Sequence, residues 1–267
     1  MQTYGDKLKR FNRVLQDIKS VKIQGATNIA KSALGAYFLF PTEKSRKKLS
    51  SLRVTEPLLF NVLEKAKNHS KEKILQHLSS TQERINKKIF PLIKKGDKIF
   101  THCHSTTVTN ALVYAKKKGK IFQVVNTETR PLYQGRKTSR EISRAGIKVT
   151  TYVDSGMHQA IAESDVIFLG ADAILKKGVI NKVGSALAAE ISHVHKKRFY
   201  IVADSWKFYP RSIRIEERDF REVWSSAPRK VKVRNPAFEL IPKKYITKII
   251  SELGILGYDD FLRKVGR

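Results

Sequence analysis

Apolar positions in the first third of the chain recur every three or four residues. Leu8, Phe11, Val14, Leu15 and Ile18 fall on one face of a helix, as a half-buried helix requires. A second helix is predicted over about Asn28–Phe38, after the turn-like Gln24-Gly25-Ala26-Thr27. The stretch Pro41–Ser51 is polar and basic and reads as a loop; helices resume over about Pro57–Asn68 and Glu72–Lys94. At Gly96-Asp97 the pattern changes. Short β-branched or aromatic runs, Lys98–Thr101, Ile121–Asn126, Lys148–Val153, Val166–Leu169 and Phe199–Ala203, now alternate with helical segments near Ser105–Lys118, Ser139–Ala145, Ser155–Glu163 and Gly184–His195. Such alternation predicts an α/β fold, a parallel sheet with helices on both faces. It divides the chain into a helical domain over residues 1–95 and an α/β domain over 96–267. Ligands in such sheets sit beyond the C-terminal strand ends, which directs attention to the loops starting at Thr101, Asn126, Val153, Gly170 and Ala203.

Composition narrows the class. With 267 residues and 41% hydrophobic content the chain can bury a sizeable core. One cysteine, Cys103, excludes an internal disulfide framework and a Cys-based zinc cluster. The N-terminus has no apolar core or small-residue cleavage site, and the longest apolar run, Ala33–Phe40, is too short to span a bilayer. A soluble cytoplasmic protein with no membrane contact is therefore expected. The net charge of +29 is the footprint of a nucleic-acid binder, or else a solvated, Lys-rich surface. The excess lies in scattered clusters such as Arg46-Lys47-Lys48, Lys116–Lys118 and Lys196–Arg198. Dispersed lysines lack the bidentate arginines and stacking aromatics of specific recognition, so the solvated surface is the favoured reading.

The strand-end loops carry the candidate chemistry. In Thr101-His102-Cys103-His104-Ser105-Thr106-Thr107, Ser105 or a neighbouring Thr is a natural N-cap, and the free N–H groups there suit phosphate. A thiol beside a helix N-terminus has its pKa lowered and becomes a usable base or nucleophile; the alternative is a small buried cysteine. His102 and His104 raise a metal site, but the remaining histidines supply no ligand pattern, and surface or loop histidines with no metal are expected. Arg130 and Arg136 suit phosphate, or else pair with Glu128 or Glu141. Asp154-Ser155 reads as an N-cap pair. Asp172, just past the apolar run Val166–Leu169, is placed to have a raised pKa and act as a general acid. Lys182 and Lys207 can neutralise a phosphate or a developing oxyanion. No P-loop or dinucleotide fingerprint is present. One thiol, one acid and several cations fit proton transfer on a phosphorylated small molecule, without a cofactor.

As a set, Thr101-His102-Cys103-His104-Ser105, Glu128-Thr129-Arg130-Pro131 with Gln134-Gly135, Gly170-Ala171-Asp172, Asn181-Lys182-Val183-Gly184, Lys207-Phe208 and Asn235-Pro236-Ala237-Phe238 resemble one superfamily across essentially the whole chain. It joins the alpha, beta and delta subunits of initiation factor 2B with ribose-1,5-bisphosphate isomerase and methylthioribose-1-phosphate isomerase. The resemblance implies a helical N-terminal domain, a Rossmann-like C-terminal domain and a homo-oligomer, dimer or hexamer. It implies Cys103 and Asp172 as the catalytic pair of an isomerase converting ribose-1,5-bisphosphate to ribulose-1,5-bisphosphate. It assigns phosphate binding to Gln24, Gly25, Ala26, Thr27, Arg53, Ser105, Thr106, Thr107, Arg130, Asn181, Lys182 and Lys207. Two positions depart from the bisphosphate isomerase pattern. Gln24-Gly25-Ala26-Thr27 stands where that enzyme has Arg-Gly-Ala-Gly, and Arg53-Val54-Thr55-Glu56-Pro57 where it has Arg-Pro-Thr-Ala-Val. The other branch of the resemblance implies a regulatory subunit that binds a nucleotide or sugar phosphate, contacts RNA or a translation factor, and turns nothing over.

Overall fold

The computed structural model describes residues 3–23, 25–53 and 55–266. Its first part is helical: α1 (Tyr4–Lys19), α2 (Ala26–Tyr37), α3 (Glu43–Ser50), α4 (Pro57–Lys65) and α5 (Lys71–Ile89). Thr3 and Asp6 close a reciprocal capping box at the start of α1. The predicted stripe turns Phe11, Leu15 and Ile18 inward, against Ala30 and Leu34 of α2, Leu59 and Val62 of α4 and Ile74 of α5. Leu8 stays exposed.

The stretch expected as a loop, Pro41–Ser51, contains α3. Only Leu49 of that helix is buried, so it shows no apolar period. Its stability is polar instead. The Thr42 hydroxyl caps it, accepting from Ser45 N–H at 3.2 Å; Glu43 sits in the first turn and Lys47 and Lys48 in the last, as the helix dipole favours.

The second part runs β1 (Lys98–Thr101), α6 (Thr106–Lys117), β2 (Gln123–Thr127), α7 (Gln134–Arg144), β3 (Lys148–Tyr152), α8 (Met157–Ala162), β4 (Val166–Leu169), β5 (Ala173–Ile174), β6 (Gly178–Lys182), α9 (Ser185–Val194), β7 (Arg198–Val202), α10 (Arg221–Trp224), β8 (Phe238–Pro242), β9 (Lys248–Ser251), β10 (Gly254–Leu256) and α11 (Tyr258–Val265). The main sheet has seven strands in the order β10-β9-β7-β4-β1-β2-β3. All neighbours pair in parallel except β10 with β9. From β1 the chain winds to one edge through β2 and β3, then returns to the other side of β1 through β4 and β7. The reversal falls between β1 and β4, where the loops beyond both strands diverge and leave a crevice.

One side of the sheet packs on α8, α9 and α11 through Ile161, Ala188 and Phe261. The other packs on α6 through Val108 and Leu112, joined by Ile85 and Ile89 of α5. Because Ile74 and Leu78 of the same helix lie in the first core, α5 belongs to both. A small antiparallel sheet, β5-β6-β8, branches off after β4; its residues 178–182 are buried throughout, so they lack the alternation that marks a strand. Among the described residues no helix is long and apolar enough to cross a membrane.

Candidate active site

Cys103 follows β1 with φ +63°, a left-handed conformation that costs a non-glycine residue about 1–2 kcal/mol. Loops from elsewhere hold it there. Its N–H donates to Thr129 Oγ1 at 3.0 Å, and its carbonyl accepts from Thr138 Oγ1 at 2.9 Å. Thr129 is itself anchored by its N–H to Asp154 Oδ1 at 2.9 Å, so the aspartate that reads as an N-cap is a strut for the neighbouring loop. Contrary to expectation the thiol is not acidified. Burial pushes it up to about 12, outweighing the downward pull of Lys182.

Neither flanking histidine lies on the surface, and each is tied to a neighbouring loop. His102 is buried; its Nε2 lies 2.9 Å from Val183 O and its Nδ1 2.6 Å from Thr127 Oγ1. A carbonyl only accepts, so Nε2 carries the proton and Nδ1 accepts from the threonine. The ring thereby ties the end of β1 to the turn after β6. His104 Nδ1 is 3.0 Å from Thr138 Oγ1, and burial lowers the ring to about 4. The Thr138 hydroxyl spends its proton on Cys103 O, so His104 Nδ1 donates to it.

Asp172 follows β4, the strand beside β1, with its N–H donated to Ile180 O at 2.9 Å. The loop reaches the crevice because Gly170 has no side chain: a Cβ there would lie 2.5 Å from Ser105 Oγ. Burial raises the Asp172 carboxyl, partly offset by Lys207, Arg53 and Lys182. This is the direction expected of a general acid.

These groups open on one pocket. Gly25, Ala26 and Thr27 at the start of α2 line it, as do Ser105, Thr106 and Thr107 at the start of α6. Gly25 caps α2 at φ +84°, which glycine alone adopts freely, and a Cβ on it would sit 3.8 Å from Thr106 Oγ1. Two helix N-termini, one from each part of the chain, thus meet at the pocket and present N–H groups to an anion. Ser105 caps α6 as anticipated, accepting from Val108 N–H at 3.4 Å.

Asn181 and Lys182 arrive at the end of β6, both buried. Lys207, buried on the turn after β7, donates from Nζ to Ala171 O at 2.5 Å. That turn is fixed from behind. Asp204 Oδ1 accepts from Trp206 N–H at 2.8 Å, Glu252 Oε2 accepts from Ser205 N–H at 3.1 Å, and His77 stacks on Trp206 at 3.6 Å.

Arg53 is in the pocket, with Nη1 3.1 Å from Glu216 Oε1. Arg130 is not brought there. It is exposed, packs on Tyr133, and donates from Nη2 to Val223 O at 3.2 Å. Arg136 takes the alternative role of pairing with Glu128, at 2.6 Å. Gln24 lies outside the described residues.

Three polar pocket residues were given no role from sequence. Arg218 is held by Glu222 and shares Glu216 Oε1 with Arg53. Gln134, from the start of α7, leaves its Oε1 buried without a partner among the described residues. Glu56 lies at the start of α4, within the Thr55-Glu56-Pro57 departure. It is 2% exposed, and burial and Asp172 push its carboxyl up to about 8. The only signal for Arg218 in the chain is the charge alternation of Glu216-Glu217-Arg218 with Glu222, which any solvated surface could share.

A doubly wound sheet with helix N-termini and the cationic side chains of Arg53, Lys182, Lys207 and Arg218 converging at its switch point defines an α/β protein with a pocket whose chemistry suits an anionic small molecule. More narrowly, the chain belongs to the initiation factor 2 subunit family, whose profile matches residues 16–257. It is 32% identical to ribose 1,5-bisphosphate isomerase of Archaeoglobus fulgidus, over 90% of this chain and 88% of that protein. Among solved structures, translation initiation factor eIF-2B of Pyrococcus horikoshii OT3 superposes with a TM-score of 0.83 at 28% identity, covering 93% of this chain and 97% of that one. The 5-methylthioribose 1-phosphate isomerase of the same organism gives 0.79 at 25% identity, covering 96% and 87%.

Proposed function

We propose that the protein is an enzyme, a sugar-phosphate aldose–ketose isomerase, with ribose-1,5-bisphosphate as the first substrate to test. What carries the reading is one juxtaposition. A thiol and a raised carboxyl, Cys103 and Asp172, come from the loops after the adjacent strands β1 and β4 and share a pocket with Lys182.

Asp172 donates its proton to the ring oxygen as the C1–O bond breaks. In the proton route Cys103 thiolate removes the C2 proton, leaving an enediol-type intermediate whose charge Lys182 balances. The O2 proton then passes to the Asp172 carboxylate, making the C2 ketone, while the thiol returns a proton to C1, so both groups end in their starting states. That route needs the thiol ionised, and with the group held near 12 the supporting charge must come from Lys182 in a dry, ligand-filled pocket. The hydride route moves hydrogen from C2 to C1 directly and needs no thiolate. Deuterium uptake from solvent at C1 marks the proton route.

The test is incubation with ribose-1,5-bisphosphate and detection of the ketose. Cys103→Ser and Asp172→Asn are each expected to abolish turnover with the fold intact; an undiminished rate in either variant removes that residue from the mechanism. The neutral thiol favours one second reading, a regulatory subunit that binds the sugar phosphate without turnover. That reading predicts binding with no ketose formed.

A further inference from the structure

Three residues that line the pocket carry buried polar atoms with no hydrogen-bond partner among the described residues. Glu56 Oε2 and Gln134 Oε1 lack an acceptor's partner, and Arg53 Nε lacks a donor's, among the described residues. Such atoms are rare in folded proteins, and each one left unpaired costs about 1–3 kcal/mol. Gln134 Oε1 is a carbonyl oxygen and can only accept. Glu56 accepts when ionised and donates or accepts when protonated. A hydroxyl can serve any one of these atoms, donating its single proton to a carbonyl or carboxylate oxygen or accepting from Arg53 Nε. A phosphate oxygen in its dianionic form only accepts, so it can satisfy Arg53 Nε but neither Gln134 nor an ionised Glu56.

Charge points the same way. The helix N-termini at Gly25–Thr27 and Ser105–Thr107 offer N–H groups to the pocket. Around Glu56 the cations are already engaged. Arg53 and Arg218 share Glu216, Arg218 is also held by Glu222, and Lys207 faces both Asp172 and Glu56. A second dianion placed there would meet Glu56, Asp172 and Glu216 together.

We propose that Glu56 is a specificity-determining residue that holds a sugar hydroxyl and disfavours a second phosphate, so that the preferred substrate is a sugar monophosphate. The inference rests on the isomerase reading and revises its substrate: ribose-1,5-bisphosphate stays the first compound to test, and it is expected to be used less well than a monophosphate. It has a proton signature. The carboxyl stands near 8 under the influence of burial, Asp172, Lys207, Arg53 and Glu216. A phosphate against it requires it to stay protonated, so acceptance of a bisphosphate falls as pH rises through that value. A hydroxyl imposes no such requirement.

The experiment measures kcat/KM for ribose 1-phosphate, ribose 5-phosphate and ribose-1,5-bisphosphate at about pH 7 and about pH 9, with calorimetric binding of the same three compounds. The two monophosphates show which end of the sugar the helix N-termini take. In the wild type, one monophosphate should exceed the bisphosphate, and the ratio should grow by about tenfold between the two pH values. Glu56→Gln, neutral at both, should lose that growth and use the bisphosphate better at the higher pH; Glu56→Ala serves if the glutamine variant unfolds. A bisphosphate preference at about pH 9, or an unchanged ratio and pH trend in both variants, overturns the proposal. If binding shows this selectivity with no turnover, the isomerase reading falls and the role of Glu56 stands. If turnover occurs without the selectivity, the reverse holds.

Discussion

Replacing Gly170 by alanine tests how the two halves of the pocket are fitted together. The new Cβ would lie 2.5 Å from Ser105 Oγ and 2.7 Å from Ser105 Cβ, while Ser105 Cα is 3.9 Å away. The first two separations are well inside van der Waals contact, so the side chain of Ser105 must turn or the loops must part. Overpacking of this kind costs about 1–3 kcal/mol. A displaced Ser105 also uncaps α6, adding about 1 kcal/mol. The expected loss is about 2–4 kcal/mol by urea or thermal unfolding, and at about 2–4 °C per kcal/mol it lowers the melting temperature visibly. The decisive comparison is the same change in a Ser105→Gly background. Both clashing atoms are gone there, and Gly170 does not occupy the positive-φ region, so alanine should be neutral or stabilising by about 0.5 kcal/mol. An equal loss in both backgrounds would refute the argument that the Ser105 side chain is the obstacle.

Other outcomes follow from the same geometry. His104 has its pKa lowered by folding from 6.5 to about 4, so the stability it contributes is complete above about pH 6.5 and is lost as pH falls through 4. The span is about 3 kcal/mol, and His104→Asn should flatten that acid limb in unfolding measured against pH. Thr129→Val removes the acceptor of the Cys103 N–H and should cost about 1–3 kcal/mol by chemical denaturation. Lys182→Met should weaken sugar-phosphate binding by about tenfold or more, whereas Arg130→Ala, away from the pocket, should leave the same dissociation constant within about twofold.

How much the chain reveals before folding depends on where each signal resides. Segments that bury one face declare themselves: α1 through Phe11, Leu15 and Ile18, and β1 and β4 through apolar runs that end where the chemistry begins. α3 is hidden because its stability is in caps and charges rather than an apolar stripe, and β6 because burial on all sides erases alternation. The pocket brings together Cys103, Asp172 and Lys207 from the strand-end loops, where topology alone directs the reader, with Asn181 and Lys182 from the end of the hidden β6. Glu56 and Arg218 come from a helix start and from a long irregular segment, and only the tertiary fold carries them in. The Cys103 thiol is the instructive reversal. Local sequence places it beside a helix N-terminus, yet burial in the folded pocket raises it and outweighs the pull of Lys182.

The sharing of α5 between two cores bears on how the gene can be divided. A break near Gly96, where the sequence pattern changes, would leave Ile85 and Ile89 on one fragment and their partners Val108 and Leu112 on the other. Each fragment would carry a raw apolar face, and the pocket would lose either the N-terminus of α2 or that of α6. The two stretches are thus interdependent in heredity as well as in shape: recombination that swaps one without the other must also supply a matched α5, and mutations on its two ends are expected to be selected together.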